Sequence, residues 1–248
     1  MRRVVVLITS VTLLIFAALI YAYQKQQNEV AQLHQYQTVL YEKTEQLYQQ
    51  AQDWQTPIQM TTQDQRLNGD YRVMADFILS YLKDNAEARN LYLRELKSIG
   101  WDTFLDVKRL SEDKKNNYQQ TQEMLANARS LAEQYQQQNQ EWHEKALAAA
   151  KHLNIENRLK QTLLDGLKNS DDPQTHAVFV LEQQVLAKAE AMLVILKSNK
   201  WEAKQGKFFF YEDQPLAQFN QLYQQVLQLN RQIETINDSH KAEVEAKL

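Results

Sequence analysis

The chain contains no cysteine, and this absence excludes several kinds of chemistry. Disulfide bonds, zinc–thiolate centres and thiol nucleophiles all need cysteine side chains. Lipid attachment through an N-terminal cysteine, which anchors many envelope proteins, is excluded as well. Because a cysteine-free chain suits any redox compartment, the location of the protein has to be inferred from other features.

Glycine and proline are also scarce, with 4 glycines and 3 prolines among 248 residues. Both residues interrupt helices, so their scarcity predicts a few long helices joined by few connections. A glycine-rich phosphate loop is nearly excluded, and neither a Gly-x-Ser-x-Gly elbow nor a His-Glu-x-x-His motif occurs. The histidines are scattered, without the Glu-x-x-His pairs of bundle metal sites: His34, His143, His152, His176 and His240. We therefore expect a protein that is not an enzyme, with no catalytic residue, cofactor or metal.

Neither sign of charge is in excess. The formal net charge is −3, so no basic surface indicates nucleic-acid binding and no acidic block indicates a disordered tail. One local basic cluster, interrupted by two acidic residues, consists of Lys108, Arg109, Lys114 and Lys115. A solvated helix face explains mixed charge of this kind, and contact with anionic lipid headgroups is the functional alternative.

One long apolar run stands at the N-terminus, over residues 4–23. About 20 apolar residues in a helix span the roughly 30 Å hydrocarbon core of a membrane. Basic residues precede the run and amphipathic rings end it, which is typical of a span with its N-terminus in the cytoplasm. The residues that define this predicted anchor are Arg2, Arg3, Val4, Tyr21 and Tyr23.

A cleaved signal peptide is the alternative for the same run. Signal peptides have a shorter apolar core, of about 7 to 15 residues, and end in a small-x-small cleavage site. The nearest candidate, residues 20–22, places Ile20 where a small residue is needed. The sequence therefore favours a cytoplasmic tail over 1–3, a transmembrane anchor over 4–23 and an extracytoplasmic domain over 24–248. This predicts a single-pass inner-membrane protein whose C-terminal domain is periplasmic.

Apolar stripes at helical spacing run through most of the predicted domain. The first has a seven-residue repeat, a narrow seam that needs partner helices from the same chain or from a second copy: Leu33, Leu40, Leu47 and Trp54. Pro57 ends this helix. A second helix follows from about Asp70 to Ser98, with a possible restart at Asp84–Asn85 and a C-cap at Gly100.

Capping residues indicate where the remaining helices begin. Asp102 reads as the N-cap of a long helix that reaches the neighbourhood of His152. A shorter helix ends near Asn169, and prolines at the first turn predict two more helices, from Pro173 and from near Pro215. The predicted fold is mainly α: the transmembrane helix, then a bundle of about four or five long helices with one short hairpin.

The segment 200–211 is the stretch without helical periodicity, and it resembles a β-hairpin. Gly206 supplies the positive φ of a tight turn, and three consecutive phenylalanines favour extended structure. Strand alternation places Phe208 and Phe210 on one face and Phe209 and Tyr211 on the other. Either the hairpin is clamped over the bundle, or its exposed aromatics recruit a partner by strand addition. The candidate partner-binding residues are Trp201, Phe208, Phe209, Phe210 and Tyr211.

Three features carry a family resemblance: the helix that ends near Lys200, the hairpin with Trp201, Gly206 and Phe208, and the helix start around Phe219–Asn220 with Tyr223. This arrangement resembles a bacterial family of envelope-located, membrane-anchored helical proteins of unknown function. The resemblance implies location and architecture, and it implies no activity. The chain departs from the family pattern because a hydrophobic helix replaces the usual lipid-anchor cysteine.

Two classes of function follow. The first is a non-enzymatic, membrane-anchored envelope protein that scaffolds or binds a protein partner, or associates with itself, through its helical seams. The second is an extracytoplasmic domain that senses or binds a solute in a pocket between helices. Buried polar residues that converge on a cavity favour the second class, and a filled core favours the first.

Overall fold

The computed structural model describes residues 30–169 and 173–247. Within them the chain forms seven α-helices, two 3-10 turns and a two-stranded sheet. The helices are α1 Val30–Gln52, α2 Gly69–Ser98, α3 Val107–Asp113, α4 Gln119–Lys151, α5 Asn157–Asn169, α6 Pro173–Ser198 and α7 Asp213–Lys247. The 3-10 turns are Trp101–Thr103 and Lys114–Asn116, and the strands are β1 Trp201–Lys204 and β2 Lys207–Phe210. The mainly helical architecture with one hairpin is confirmed.

Among the described helices, none combines the length and the apolar character that a membrane span requires. The predicted anchor over 4–23, with Arg2, Arg3, Val4, Tyr21 and Tyr23, lies outside the described residues. The membrane topology therefore stays a prediction.

The described chain divides into two compact units. The N-terminal unit contains residues 30–91, 136–169, 173–175 and 237–247, and the hairpin unit contains residues 92–135 and 176–236. Each unit has a hydrophobic core of its own. The described part of the predicted 24–248 bundle is thus built around two cores.

Three of the four positions of the seven-residue seam lie in α1 and pack in the core of the N-terminal unit, whereas Trp54 lies in a turn beyond the end of α1 at Gln52. Leu40 and Leu47 have no exposed surface, and Leu33 packs against the same core. The partners come from the same chain, mainly from α2 and α5, and include Met74, Ile78, Leu82, Leu159, Leu163 and Leu167. The seam was expected to pack on helices of this chain or of a second copy, and the structure packs it within the chain.

Helices α6 and α7 contribute part of the core of the hairpin unit, and the rest comes from residues 92–132 and from the hairpin itself. Met192 and Leu196 of α6 are buried, as is Phe219 of α7. The expected start of α6 at Pro173 is confirmed, and α7 begins at Asp213, two residues before the predicted proline. These positions follow from local signals, a proline in the first turn and an apolar residue every three or four positions.

Gly100 behaves as predicted at the end of α2. Its φ is +77°, and its amide donates to the carbonyl of Lys97 at 2.9 Å. A Cβ at this position would approach Met124 and Thr103 at 3.4 Å, so the positive φ and the limited space both favour glycine.

Two expectations about helix boundaries are wrong. The proposed restart at Asp84–Asn85 does not occur, because α2 is continuous and Asn85 donates its side-chain amide back to the carbonyl of Tyr81 at 2.8 Å. The long helix expected from Asp102 begins instead at Gln119. Asp102 lies in the first 3-10 turn, and the chain completes α3 and the second 3-10 turn before α4 begins.

The buried seam of α1 yields a stability prediction. Leu47→Ala removes a side chain with no exposed surface, so we expect the free energy of unfolding to fall by about 2–5 kcal/mol. Gln46→Ala, at the exposed neighbouring position, should change it by less than about 0.5 kcal/mol. Urea titration of both variants measures the difference. A melting temperature of the unmodified chain that rises with protein concentration, and that no longer does so in Leu47→Ala, would instead assign the seam to an association between copies.

Candidate interaction site on the hairpin

The hairpin is held by a two-residue turn. β1 and β2 pair antiparallel with Trp201 opposite Phe210 and Lys204 opposite Lys207. The turn residues Gln205 and Gly206 have φ values of +52° and +72°, and positive φ at both central positions defines the type I′ turn of tight hairpins. Glycine at the second position was predicted. The left-handed glutamine was not, because glutamine has no special preference for that conformation.

One face of the hairpin packs on the helices of its unit. Trp201 is 2% exposed and Phe210 is buried, while Phe208 is half-buried. The Phe219 ring of α7 lies 4.9 Å from the ring of Phe208 and 5.5 Å from that of Phe210. The indole of Trp201 meets Phe208 edge-on at 5.1 Å. These contacts confirm the hairpin clamped on the bundle, and they place three of the five candidate residues on its inner face.

Trp201 is also the polar anchor of the hairpin. Its Nε1–H donates to the Tyr118 hydroxyl at 2.7 Å and to the Leu196 carbonyl at 3.1 Å. The Tyr118 hydroxyl donates in turn to the Leu196 carbonyl at 2.8 Å. Burial raises the pKa of Tyr118 further above neutral pH, so its hydroxyl is a hydrogen-bond donor. Three elements therefore meet in one buried hydrogen-bonded triangle: the end of α6, the start of β1 and the residue before α4.

Lys114 secures Trp201 from the solvent side. Its Nζ donates to the Trp201 carbonyl at 2.6 Å and lies 4.8 Å from the centre of the indole ring. This lysine belongs to the basic cluster predicted at 108–115, so one member of that cluster has a structural role. Of the other members, Lys115 forms a salt bridge with Glu112 at 2.8 Å, whereas Arg109 forms hydrogen bonds inside the hairpin unit.

The residues just before α4 adopt an uncommon backbone conformation. Asn117 and Tyr118 both have positive φ, +54° and +59°. The Tyr118 amide donates to the Asp113 carbonyl at 2.9 Å and the Asn117 amide to the Lys114 carbonyl at 3.2 Å, which is the Schellman pattern at a helix end. Asparagine tolerates this conformation, whereas a bulky residue pays roughly 1–2 kcal/mol for it.

Asp113 caps the start of α4 from a distance of several residues. Its carboxylate accepts from the amides of Gln120 and Thr121, at 3.1 and 2.8 Å, and from the Thr121 hydroxyl at 2.6 Å. Tyr118 occupies the N-cap position, and its hydroxyl is bound elsewhere. The preceding helix therefore supplies the cap that the local sequence lacks.

Arg109 compensates the buried charge of Asp113. Its Nη1 lies 3.9 Å from the Asp113 carboxylate and donates to the Thr121 hydroxyl at 3.0 Å. The rest of the guanidinium donates to the carbonyls of Thr103 and Phe104, at 3.0 and 2.7 Å. A buried carboxylate with a paired cation and several donors avoids the large cost of an isolated charge.

The other face of the hairpin exposes two aromatic rings that touch each other. Phe209 is 45% exposed and Tyr211 is 62% exposed, and their rings meet edge-on at 5.8 Å. Lys204 Nζ lies 3.9 Å from the centre of the Phe209 ring and pairs with Glu202. Hydrogen bonds from Lys204 and from Tyr211 hold the pKa of Glu202 below its usual range. We call these four residues the outer face: Glu202, Lys204, Phe209 and Tyr211. They contact one another in the absence of a partner.

The edges of the hairpin are less available than its outer face. In this register the backbone groups of Trp201, Ala203, Phe208 and Phe210 point away from the partner strand. Trp201 and Phe210 are buried, and Lys114 occupies the Trp201 carbonyl. Strand addition needs a continuous run of open backbone groups. The geometry therefore favours recognition by side chains over the strand addition that the sequence suggested.

Among the side chains that the structure describes, in residues 31–168 and 177–236, no three of His, Asp or Glu are grouped to hold a metal ion. The His143 Nδ1 lies 3.3 Å from the Tyr81 hydroxyl, and His34 and His152 are exposed. The side chains of His176 and His240 are not among those that the structure describes.

Comparison with protein-family models, with curated proteins and with solved structures gives no match. The resemblance to the envelope family therefore stays a prediction.

The capping role of Asp113 can be tested against the role expected for Asp102. Asp113→Ala removes three hydrogen bonds and leaves Arg109 without its carboxylate, so we expect the free energy of unfolding to fall by about 3–5 kcal/mol. Asp102→Ala, at an exposed position, should change it by less than about 0.5 kcal/mol. Denaturant unfolding followed by circular dichroism measures both. Equal effects of the two substitutions would contradict the assignment of the cap.

Proposed function

We propose that this protein is a non-enzymatic, membrane-anchored envelope protein that binds a protein partner. In this proposal, the outer face of the hairpin is the recognition surface, and the predicted N-terminal anchor holds the domain at the inner membrane on its periplasmic side. The partner is an envelope protein or a second copy of the chain.

The observation that supports the binding role is the pair of exposed rings on the outer face. Phe209 and Tyr211 contact each other, and both are substantially exposed. Aromatic residues at the centre of interfaces carry much of the binding energy, because they bury a large area at little cost in conformational entropy.

The surroundings of these rings favour binding over chance exposure. Lys204 covers one side of the Phe209 ring, Glu202 holds Lys204, and the inner face of the same strands is buried on α7. A surface that is already ordered loses little further entropy when a partner binds. A charged rim around an apolar centre also matches the usual composition of an interface.

The helical seams contribute less to the proposal than the sequence suggested. The α1 seam is buried inside the N-terminal unit, so it offers no surface to a partner. The hairpin thus replaces the seams as the main candidate for recognition.

Solute binding, the second candidate, finds no comparable support. It needs buried polar groups that converge on one point. In the N-terminal unit, the hydroxyls of Tyr36 and Thr44 and the side-chain amide of Asn90 are buried without a hydrogen-bond partner. The two hydroxyls lie eight residues apart on α1, which corresponds to about 12 Å along the helix axis. Hydroxyls at that separation do not bind one small solute together, so solute binding stays the weaker alternative.

Cell fractionation tests the anchor. With a C-terminal tag, we expect the chain to appear in the membrane fraction at its full-length mass, with the tag accessible to protease only from outside the inner membrane. A soluble product that lacks about the first 22 residues would identify a cleaved signal peptide. The membrane-anchored form of the proposal would then be wrong, while the hairpin would remain a candidate recognition surface.

Site-specific photocrosslinking in intact cells tests the recognition surface. A photoreactive phenylalanine analogue at position 209 should give a discrete adduct with an envelope protein or with a second copy. The same analogue at Tyr223, an exposed position on α7 of the same unit, is the matched control and should give none.

The substitution Tyr211→Ser should reduce the yield of that adduct several-fold, because truncation of a central aromatic costs about 2 kcal/mol or more of binding. Adducts of equal yield at 209 and 223, or an adduct that Tyr211→Ser leaves unchanged, would contradict a specific role of the outer face.

A further inference from the structure

The backbone at Tyr118 needs an explanation beyond the end of a helix. A Schellman ending requires one left-handed residue, and Asn117 fills that position. Tyr118 adopts a second left-handed conformation directly after it, although a large side chain disfavours that region. A residue persists in such a conformation when surrounding contacts over-determine it.

The contacts that hold Tyr118 come largely from the hairpin and from the end of α6. Its side chain is buried, and its hydroxyl accepts from Trp201 and donates to the carbonyl of Leu196. A change of Tyr118 to an ordinary conformation would redirect its ring and break both hydrogen bonds. The hairpin residue therefore stabilises the conformation that the backbone disfavours.

Lys114 supplies a second connection on the other side of the same turn. It opens the 3-10 turn Lys114–Asn116 and donates to the carbonyl of Trp201. Trp201 thus contacts the turn before its left-handed residues through its carbonyl, and at the second of them, Tyr118, through its indole.

The same turn determines how α4 begins. The Tyr118 carbonyl accepts the Gln122 amide at 2.9 Å, and the carboxylate of Asp113 accepts the amides of Gln120 and Thr121. If Tyr118 changes conformation, its carbonyl turns away from Gln122, and the distance from Asp113 to the first turn of α4 changes as well.

We propose that the hairpin is a latch on the start of α4. With Trp201 docked, the turn at Asn117–Tyr118 is held left-handed and the first turn of α4 is ordered. When the hairpin lifts, Tyr118 relaxes and the amides of residues 120–122 lose their acceptors. Any event that undocks the hairpin therefore disorders the first turn of α4. This coupling rests on contacts inside the hairpin unit and does not depend on the proposed binding role.

Hydrogen–deuterium exchange of the full-length chain tests the latch. Trp201→Phe keeps an aromatic ring in the core and removes the indole N–H. We expect the amides of residues 120–122 to exchange about tenfold faster, the change that corresponds to the loss of one buried hydrogen bond. Trp101→Phe is the matched control, since Trp101 lies in the same unit and packs on Phe104 at 4.7 Å without a bond to Tyr118. It should leave these rates within about twofold of the unmodified chain.

A second variant separates the latch from a general loss of stability. Tyr118→Phe removes the other partner of the same bond and should accelerate the same amides. The double variant should accelerate these amides by less than the product of the two single effects, because both substitutions remove the shared Trp201–Tyr118 bond, while each also removes its own bond to the Leu196 carbonyl. The latch is overturned by unchanged exchange at 120–122 in Trp201→Phe. It is overturned equally by additive effects in the double variant, or by the same acceleration at Ile78 in the N-terminal unit.

Discussion

The hydrogen bond from the Trp201 indole to the Tyr118 hydroxyl is the interaction on which the hairpin unit depends. A buried N–H without an acceptor is costly, and here two acceptors stand within reach, the hydroxyl and the Leu196 carbonyl. An isolated two-stranded hairpin is marginal in water. Docking through one polar anchor and several aromatic contacts stabilises the hairpin from Trp201 to Phe210. It also connects β1 to the start of α4 and to the end of α6.

The two faces of the hairpin have different consequences for function. Strand alternation sends Phe208 and Phe210 towards Phe219, while Phe209 and Tyr211 face outwards. The inner face contributes stability, so its residues are unavailable to a partner. The outer face contributes little to the core, and its rings are held by Glu202 and Lys204. This separation leads us to assign recognition to the outer face.

Much of this arrangement could be predicted from the chain. The stripes of α6 and α7, the proline at the start of α6, the C-cap at Gly100 and the alternation in the hairpin are all local patterns with a physical cause. The start of α4 could not be predicted in the same way. Asp102 and Asp113 are both acidic residues near a helix start, and the choice between them depends on Arg109 and Thr121, which reach Asp113 only after the chain folds.

The sequence by itself determined the helical character, the position of the hairpin and the face of each of its residues, because these follow from spacing and from the conformational limits of glycine and proline. It also indicated the predicted anchor, through one long apolar run. Only the tertiary structure decided that the α1 seam is covered by its own chain, that Trp201 meets Tyr118, and that Tyr118 is left-handed. Those outcomes depend on contacts between residues far apart in the sequence, 83 positions for Trp201 and Tyr118, and such contacts leave no periodic trace in the sequence.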